Sequence, residues 1–595
     1  MTETTHTPGK LWGVGLGPGD PELVTVKAAR VIAAADVIAF HSARHGRSIS
    51  RAIAAPYMRA DQLEEHLVYP VTTETTDHPG GYQGAIDEFY EQAAQRLATH
   101  LAAGRSVALL AAGDPLFYSS YMHMHRRLAD RFEAEIIPGI TSVSAASAAL
   151  GTPLVEGEQV LTVLPGTMGV DELTRRLRDT EAAAIMKLGR TYPGVRQALS
   201  DSGRLADAYY VERASSTRQR VLRAADVDDA DVPYFAITVV PGPTPTTIPA
   251  LAANPAAAQQ ISRDTRSRPT DIGHTENSSP TTPSGAPEPR PVAAQLEEQD
   301  TAQAISAARA AHAAFSDHEP SLRASAAEES AVGTADAAAG GHVTVVGLGP
   351  GAAAWTTSEV LEALSDATDL VGYTTYLSRV PVRPGQRRHA SDNRVESERA
   401  AMALDLARRG ARVVVVSSGD PGVFAMAAAV LEEADDPQWA GVPVRVLPGL
   451  TAANAVASRV GAPLGHDYAM ISLSDRLKPW EIVAQRLSAV AAADMAIAVY
   501  NPASSQRTWQ VGAMRELLLE HRKPDTPVVL GRDVGGPTES VRVVALGELD
   551  PADVDMRTLL IIGASTTVAT ETDRGVRVYT SRRYAGAGDA RSSNA

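Results

Sequence analysis

Val14-Gly15-Leu16-Gly17-Pro18-Gly19, near the start of a 595-residue chain, returns past its middle as Val346-Gly347-Leu348-Gly349-Pro350-Gly351. Three further motifs repeat behind it in the same order. Gly113-Asp114-Pro115 returns as Gly419-Asp420-Pro421, Pro138-Gly139-Ile140-Thr141 as Pro448-Gly449-Leu450-Thr451, and Gly151-Thr152-Pro153-Leu154 as Gly461-Ala462-Pro463-Leu464. Such an ordered set means internal duplication, and a chain of this length exceeds what one core supports. The gap between the first two motifs is longer in the amino-terminal copy, chiefly through the polar stretch Thr72 to Gln83, which predicts two different substrate pockets.

Short apolar runs lead into the glycine loops. They are Leu11 to Leu16, Val107 to Ala111 and Glu135 to Ile137 in the first copy, and His342 to Leu348, Arg412 to Ser417 and Val444 to Leu447 in the second. Helical patterns follow, as in Leu23 to Ala35 and Val423 to Glu433. Strand, loop and helix in alternation predict an α/β fold with a parallel sheet, whose ligands gather at the carboxyl ends of the strands. Later runs, such as Ala182 to Met186 and Met495 to Tyr500, predict a second α/β lobe in each module and a cofactor cleft between the lobes. Between the copies Pro, Ala, Ser, Thr and Gln displace large apolar residues, so that stretch cannot bury enough surface to offset its ordering entropy. The expected division is a first module over 10–243, a disordered linker over 244–340, a second module over 341–575 and a flexible tail over 576–595.

Composition narrows the function. A formal net charge of −15 and 5% aromatic residues argue against a nucleic-acid partner. An anionic small molecule stays compatible, because a local cluster of Arg and Lys can hold it. The chain has no cysteine, which excludes disulfides, thiolate metal sites and thiolate nucleophiles. No dedicated metal-ligand cluster stands out. The first ten residues are polar and no run reaches about 18 apolar residues, so a soluble cytoplasmic protein without a membrane partner is expected.

The first loop invites reading as a dinucleotide fingerprint, and with it a nucleotide-dependent oxidoreductase. Pro18 stands where one frame needs its third glycine and Asp20 where the other does, and no acidic residue closes a following strand at about twenty residues. Alone, the loop is equally a tight strand-to-helix turn, and an Asp before proline is equally a turn former. The ordered, duplicated set is harder to obtain from turn chemistry.

That set resembles the tetrapyrrole methyltransferases that use S-adenosylmethionine in sirohaem and cobalamin synthesis, over nearly all of both copies. More narrowly, Gly113-Asp114-Pro115-Leu116-Phe117-Tyr118-Ser119, with Met186-Lys187 and Glu212-Arg213-Ala214, is similar to precorrin-2 methyltransferases acting at ring carbon 20. Gly465-His466-Asp467-Tyr468-Ala469, Ile471-Ser472-Leu473-Ser474-Asp475, Pro479-Trp480, Tyr500-Asn501-Pro502 and Gly531-Arg532-Asp533-Val534-Gly535 are similar to precorrin-3B methyltransferases acting at carbon 17. The resemblance implies two C-methylations of small-molecule tetrapyrroles, S-adenosyl-L-methionine as cofactor, and a homodimer. Other tetrapyrrole or RNA methyltransferases of the same fold are the alternatives.

The resemblance also assigns residues. The cofactor would meet Pro18, Gly113, Asp114, Phe117, Thr141, Ser142, Met186 and Ala214 in the first module, and Pro350, Gly419, Asp420, Val423, Thr451, Ala452, Tyr500 and Gly535 in the second. Ala214 departs from the glycine of sirohaem-type relatives. Asp114 and Asp420 are the expected catalytic positions at the strand ends. For the second module the resemblance adds ring contraction, which asks for proton management and an electrophilic push. His466, Asp467 and Arg532 are assigned to it, with Asp475, Lys478 and Asp533 beside them, and each has an alternative as cap or ion-pair member. Arg44, Arg47, Arg51 and Lys187 are candidates for holding the substrate's carboxylates.

Overall fold

The computed structural model describes residues 7–43, 48–71, 76, 78–155, 159–242, 340–392, 396–475, 478–504, 507–573, 575–581 and 584. Residues 244–339 of the expected linker, residues from 585 onward, Arg44 and Arg47 lie outside them.

Five parallel strands, β1 (Leu11–Gly15), β2 (Val37–Ser42), β3 (Leu63–Val68), β4 (Val107–Ala111) and β5 (Ala134–Ile137), form a sheet in the order β3-β2-β4-β1-β5. The second lobe follows with β6 (Leu161–Pro165), β7 (Ala182–Met186), β8 (Tyr209–Glu212), β9 (Arg220–Arg223) and β10 (Ala236–Val240). The other copy repeats the first sheet as β11 (His342–Gly347), β12 (Asp369–Tyr373), β13 (Arg387–Ser391), β14 (Arg412–Ser417) and β15 (Val444–Leu447), in the order β13-β12-β14-β11-β15. It continues with β16 (Gly461–Ala462), β17 (Tyr468–Ser472), β18 (Ala496–Tyr500), β19 (Pro527–Arg532), β20 (Ser540–Ala545) and β21 (Thr558–Ile562). Val413 to Val416 are all buried, as expected of a parallel strand covered on both faces. The helix expected from Leu23 starts only at Val26, because Asp20 caps a short turn at Pro21–Leu23 and Thr25 caps the helix proper. The one expected from Val423 starts at Met426, because Phe424 adopts a left-handed φ of 51°.

The second lobes do not stand apart. β6 pairs antiparallel with β17, so the two modules share one ten-stranded sheet in the order β20-β19-β21-β18-β17-β6-β7-β10-β8-β9. The pairing centres on Thr162 opposite Ala469, which are equivalent positions of the duplication. Thr25 and Thr357, again equivalent, meet in a second bridge. Equivalent residues facing each other at two places define a pseudo-two-fold axis, the isologous relation usually found between subunits. One apolar core crosses the axis, joining Phe117, Leu154 and Val155 to Val423, Val456 and Tyr468. The two modules thus share a core, which the sequence does not announce: apolar residues facing the other copy look the same in sequence as residues facing their own core.

A correction concerns the tail. Gly575–Thr580 forms β23, which pairs with β22 (Thr567–Thr572) and with β16, burying Val578 and Thr580. The alternation Val576, Val578, Thr580 supplies the period-two inward face of that strand. Among the described residues, no helix is long and apolar enough to cross a membrane.

Candidate functional site

In each module three loops at the carboxyl ends of the first-lobe strands are stitched together by backbone contacts. Gly17 and Gly113 pair as an isolated bridge, and Gly349 and Gly419 do the same. A Cβ on Gly139 would lie 2.3 Å from the Gly113 carbonyl oxygen and 2.9 Å from Gly15, and one on Gly449 would lie 2.2 Å from the Gly419 oxygen and 2.9 Å from Gly347. Only glycine lets the three chains approach this closely. Thr141 then caps the helix Ser142–Leu150 by accepting from the Ser144 amide, and Thr451 caps Ala452–Val460 by accepting from that of Asn454.

The aspartates hold these loops in register. Asp114, 1% exposed, accepts from the Leu116 amide at 2.8 Å and from Gly139 at 3.0 Å. Asp420, 4% exposed, accepts from Gly422 at 2.9 Å and from Gly449 at 3.0 Å. Burial pushes both carboxyls up from 3.8 to about 6, against the pull of these amides. Both oxygens of each carboxyl are committed to backbone, so the geometry makes these residues loop staples.

Opposite the glycine loops, the second lobe offers strained backbone. Eight non-glycine residues with positive φ occur among the described residues, and six of them form three equivalent pairs. Tyr118 matches Phe424, Lys187 matches Asn501, and Arg213 matches Asp533, with φ between 47° and 58°. Ser215, at φ 66°, matches Gly535 at 84°. Each such residue costs on the order of 1 kcal/mol or more, and strain of this kind collects where a ligand must be met. Lys187, Arg213, Asn501 and Asp533 directly follow the ends of β7, β8, β18 and β19, while Tyr118 and Phe424 belong to the first lobe. The strain is therefore spent twice in the same places.

The structure places the residues singled out from sequence as follows. Gly19 lies against Ala214 and Ser215, and Gly351 against Val534 and Gly535, so Ala214 corresponds to Val534 and Gly535 to Ser215. The inferred pair is out of register by one, because the conspicuous glycine is not the residue that follows the strand by two. Asp467, from the second module, lies beside the first, where the Tyr118 hydroxyl donates to it at 3.5 Å and Arg176 pairs with it at 3.4 Å. His466 sits 3.3 Å from it. Arg532 is held by Asp555 at 2.9 Å, and Asp475 accepts from Gln510 at 2.8 Å. Arg51 pairs with Glu64 at 2.7 Å, and the Lys187 ammonium stands 4.4 Å from the centre of the Tyr118 ring.

Several residues were not visible as site residues in the sequence. Arg379 donates to the carbonyls of Leu348, Gly349 and Gly351 and to the Ser418 hydroxyl, clamping the second glycine loop. The segment around it carries no motif, and its partners lie about thirty residues away. Arg213, Arg218 and Arg220 line an open cavity of about 500 Å³ with Glu212 buried at its edge. Their spacing after β8 was the available signal. Among the described residues, no group of three His, Asp or Glu is placed to hold a metal ion.

Comparison with known proteins agrees with this architecture. The family described as Tetrapyrrole (Corrin/Porphyrin) Methylases matches residues 10–231 and again 342–550. Cobalamin biosynthesis protein CobIJ of Mycobacterium bovis is 56% identical over 586 residues, covering 98% of this chain and 97% of its own length. A precorrin-2 C(20)-methyltransferase of Sinorhizobium sp is 52% identical over 235 residues, 39% of this chain and 96% of that one. A precorrin-3B C(17)-methyltransferase of Sinorhizobium sp is 50% identical over 250 residues, 42% of this chain and 98% of that one. The amino-terminal part resembles the former and the carboxyl-terminal part the latter. With both copies matched and a relative aligned along nearly its whole length, the chain belongs to the tetrapyrrole (corrin/porphyrin) methylases.

Proposed function

We propose that the chain is a bifunctional S-adenosylmethionine-dependent methyltransferase of cobalamin biosynthesis. Its first module methylates carbon 20 of precorrin-2, and its second methylates carbon 17 of precorrin-3B with ring contraction. The observation that carries the reading is the twofold cradle, in which glycine loops face strained second-lobe residues at matching positions of both modules. The names of the relatives supply the two substrates.

The residues fit the cofactor. A Cβ at Gly15, Gly139, Gly347 or Gly449 would collide with the backbone of the neighbouring loop, so the loops offer a ligand their own amides and carbonyls in place of side chains. Met186 and Tyr500 close the other side at the ends of β7 and β18. When bound, the sulfonium supplies an electrophilic methyl group together with its own leaving group. The chain then needs alignment of two reactants and no strong nucleophile, and alignment alone can be worth about 7–11 kcal/mol. Asp114 and Asp420 serve by fixing the loops. In the first module Lys187, Arg213 and Arg218 present cations where the carboxylates of a tetrapyrrole can be met. In the second, Asp533 replaces Arg213 and Thr538 stands near the position of Arg218, which fits a differently placed substrate. Arg532 remains the residue proposed for ring contraction, whereas His466, 3.3 Å from Asp467, stands with it beside the first module.

Calorimetry with S-adenosylhomocysteine tests the cofactor reading. Two equivalents per chain are expected, with no heat from NADH. Binding of NADH in place of S-adenosylhomocysteine would favour the oxidoreductase.

A further inference from the structure

We propose that Asp467, although it belongs to the second module, is a positioning residue of the first site: it holds the Tyr118 hydroxyl and so fixes the ring against which the Lys187 ammonium meets precorrin-2. The inference rests on the substrate reading above. The shared sheet carries Asp467 there. β6 and β17 run antiparallel, with Tyr468 opposite Val163 and Met470 opposite Leu161. Continued toward the start of β17, this register brings Asp467 and His466 level with Leu164 and Pro165, and Pro165 is paired on its other side with Met186. The amino end of a second-module strand thus lies at the carboxyl ends of β6 and β7, the end at which such a sheet meets its ligands.

Side chains complete the crossing. Asp467 is 5% exposed. The Tyr118 hydroxyl donates to one of its oxygens at 3.5 Å, and Arg176, on the helix Val170–Arg178 of the first module, donates to the other at 3.4 Å. A buried carboxylate is tolerated when it is paired and hydrogen-bonded in this way. The Tyr118 ring is held on its other sides as well: Phe117 meets it at 5.1 Å and the Lys187 ammonium stands 4.4 Å from its centre, while a φ of 52° sets its direction. The second module supplies the comparison. Phe424 stands where the first has Tyr118, and Val160, which precedes β6 as Asp467 precedes β17, stands where the second has Asp467. Hydroxyl and carboxylate are missing there together, and Phe424 packs instead on Tyr500 at 5.2 Å. A pair present at one site and absent in both members at the other belongs to the first reaction.

The test uses the full chain and measures kcat and KM in separate reactions with precorrin-2 and with precorrin-3B. Asp467→Ala should raise the KM for precorrin-2 about tenfold, the effect of losing one hydrogen bond to a charged group, and leave the KM for S-adenosylmethionine and the precorrin-3B reaction within about twofold. Asp467→Asn keeps an acceptor oxygen and should recover most of that loss. Tyr118→Phe removes the hydroxyl and leaves the Arg176 pair in place, so it should give the same tenfold rise, and Asp467→Ala added to it should change little further. The proposal is overturned if Asp467→Ala impairs the precorrin-3B reaction as much as the precorrin-2 reaction, or if the effects of Tyr118→Phe and Asp467→Ala multiply. Should Asp467→Ala not fold, Tyr118→Phe decides, and a wild-type KM for precorrin-2 in that variant overturns the proposal. A wild-type chain that methylates neither substrate would instead overturn the function on which the proposal rests.

Discussion

Gly139 is the position at which one added methyl group should silence one site and spare the other. In Gly139→Ala the new Cβ stands 2.3 Å from the Gly113 oxygen and 2.9 Å from Gly15, all backbone atoms that no side-chain rotation can clear. An ordinary contact needs about 3.5 Å, so the loops must part by about 1 Å. Overpacking of this kind costs about 1–3 kcal/mol of stability, and misplacing reacting groups by about 1 Å lowers turnover about 100-fold. The precorrin-2 reaction should therefore fall by about two orders of magnitude while the precorrin-3B reaction stays near normal, and Gly449→Ala should do the reverse. Gly169→Ala, where nothing lies within 4 Å, serves as the control. Wild-type S-adenosylhomocysteine affinity and turnover in Gly139→Ala would refute the idea that the three loops form the cofactor cradle.

Three further outcomes follow from the geometry. Burial raises Asp114 and Asp420 from 3.8 to about 6, so the folded chain binds those protons more tightly than the unfolded one; the stabilisation is complete below 3.8 and lost as pH rises through about 6. Urea midpoints of the wild type relative to the double variant Asp114→Asn, Asp420→Asn should decline across that window, and a flat difference would contradict the assignment. Arg379→Ala should raise the cofactor KM of the precorrin-3B reaction about tenfold or more, with partial recovery in Arg379→Lys, since it frees three loop carbonyls at once. Cutting the chain at a protease site placed within 244–339 should leave two fragments that co-elute in gel filtration, held by the shared sheet and core; two separate monomer peaks would contradict it.

The duplication and the first-lobe strands were legible because glycine punctuates the ends of apolar runs, as at Val107 to Ala111 and Arg412 to Ser417, which appear as strands over those residues. Helix starts were less so. Val423 and Phe424 read as the first apolar positions of a helix, and only the left-handed φ of Phe424 shows otherwise. The union of the modules was not legible at all: β6 and β17 pair residues some three hundred positions apart, and a strand that is buried by a partner copy carries the same apolar run as one buried at home. Asp467 shows the same limit in the site. Its motif assigns it to the second module, while the fold carries it to Tyr118 of the first. A homodimer would have to use other surfaces, because the faces that two such modules present to each other are already paired within one chain.

The measurement that bears most directly on the account is mass analysis of pigments after the full chain is incubated, in separate reactions, with precorrin-2 and with precorrin-3B in the presence of methyl-labelled S-adenosylmethionine. One label in each product is expected, on carbon 20 in the first and on carbon 17 of a contracted ring in the second. Transfer to neither tetrapyrrole would contradict the account, and transfer to only one would contradict its claim of two working sites.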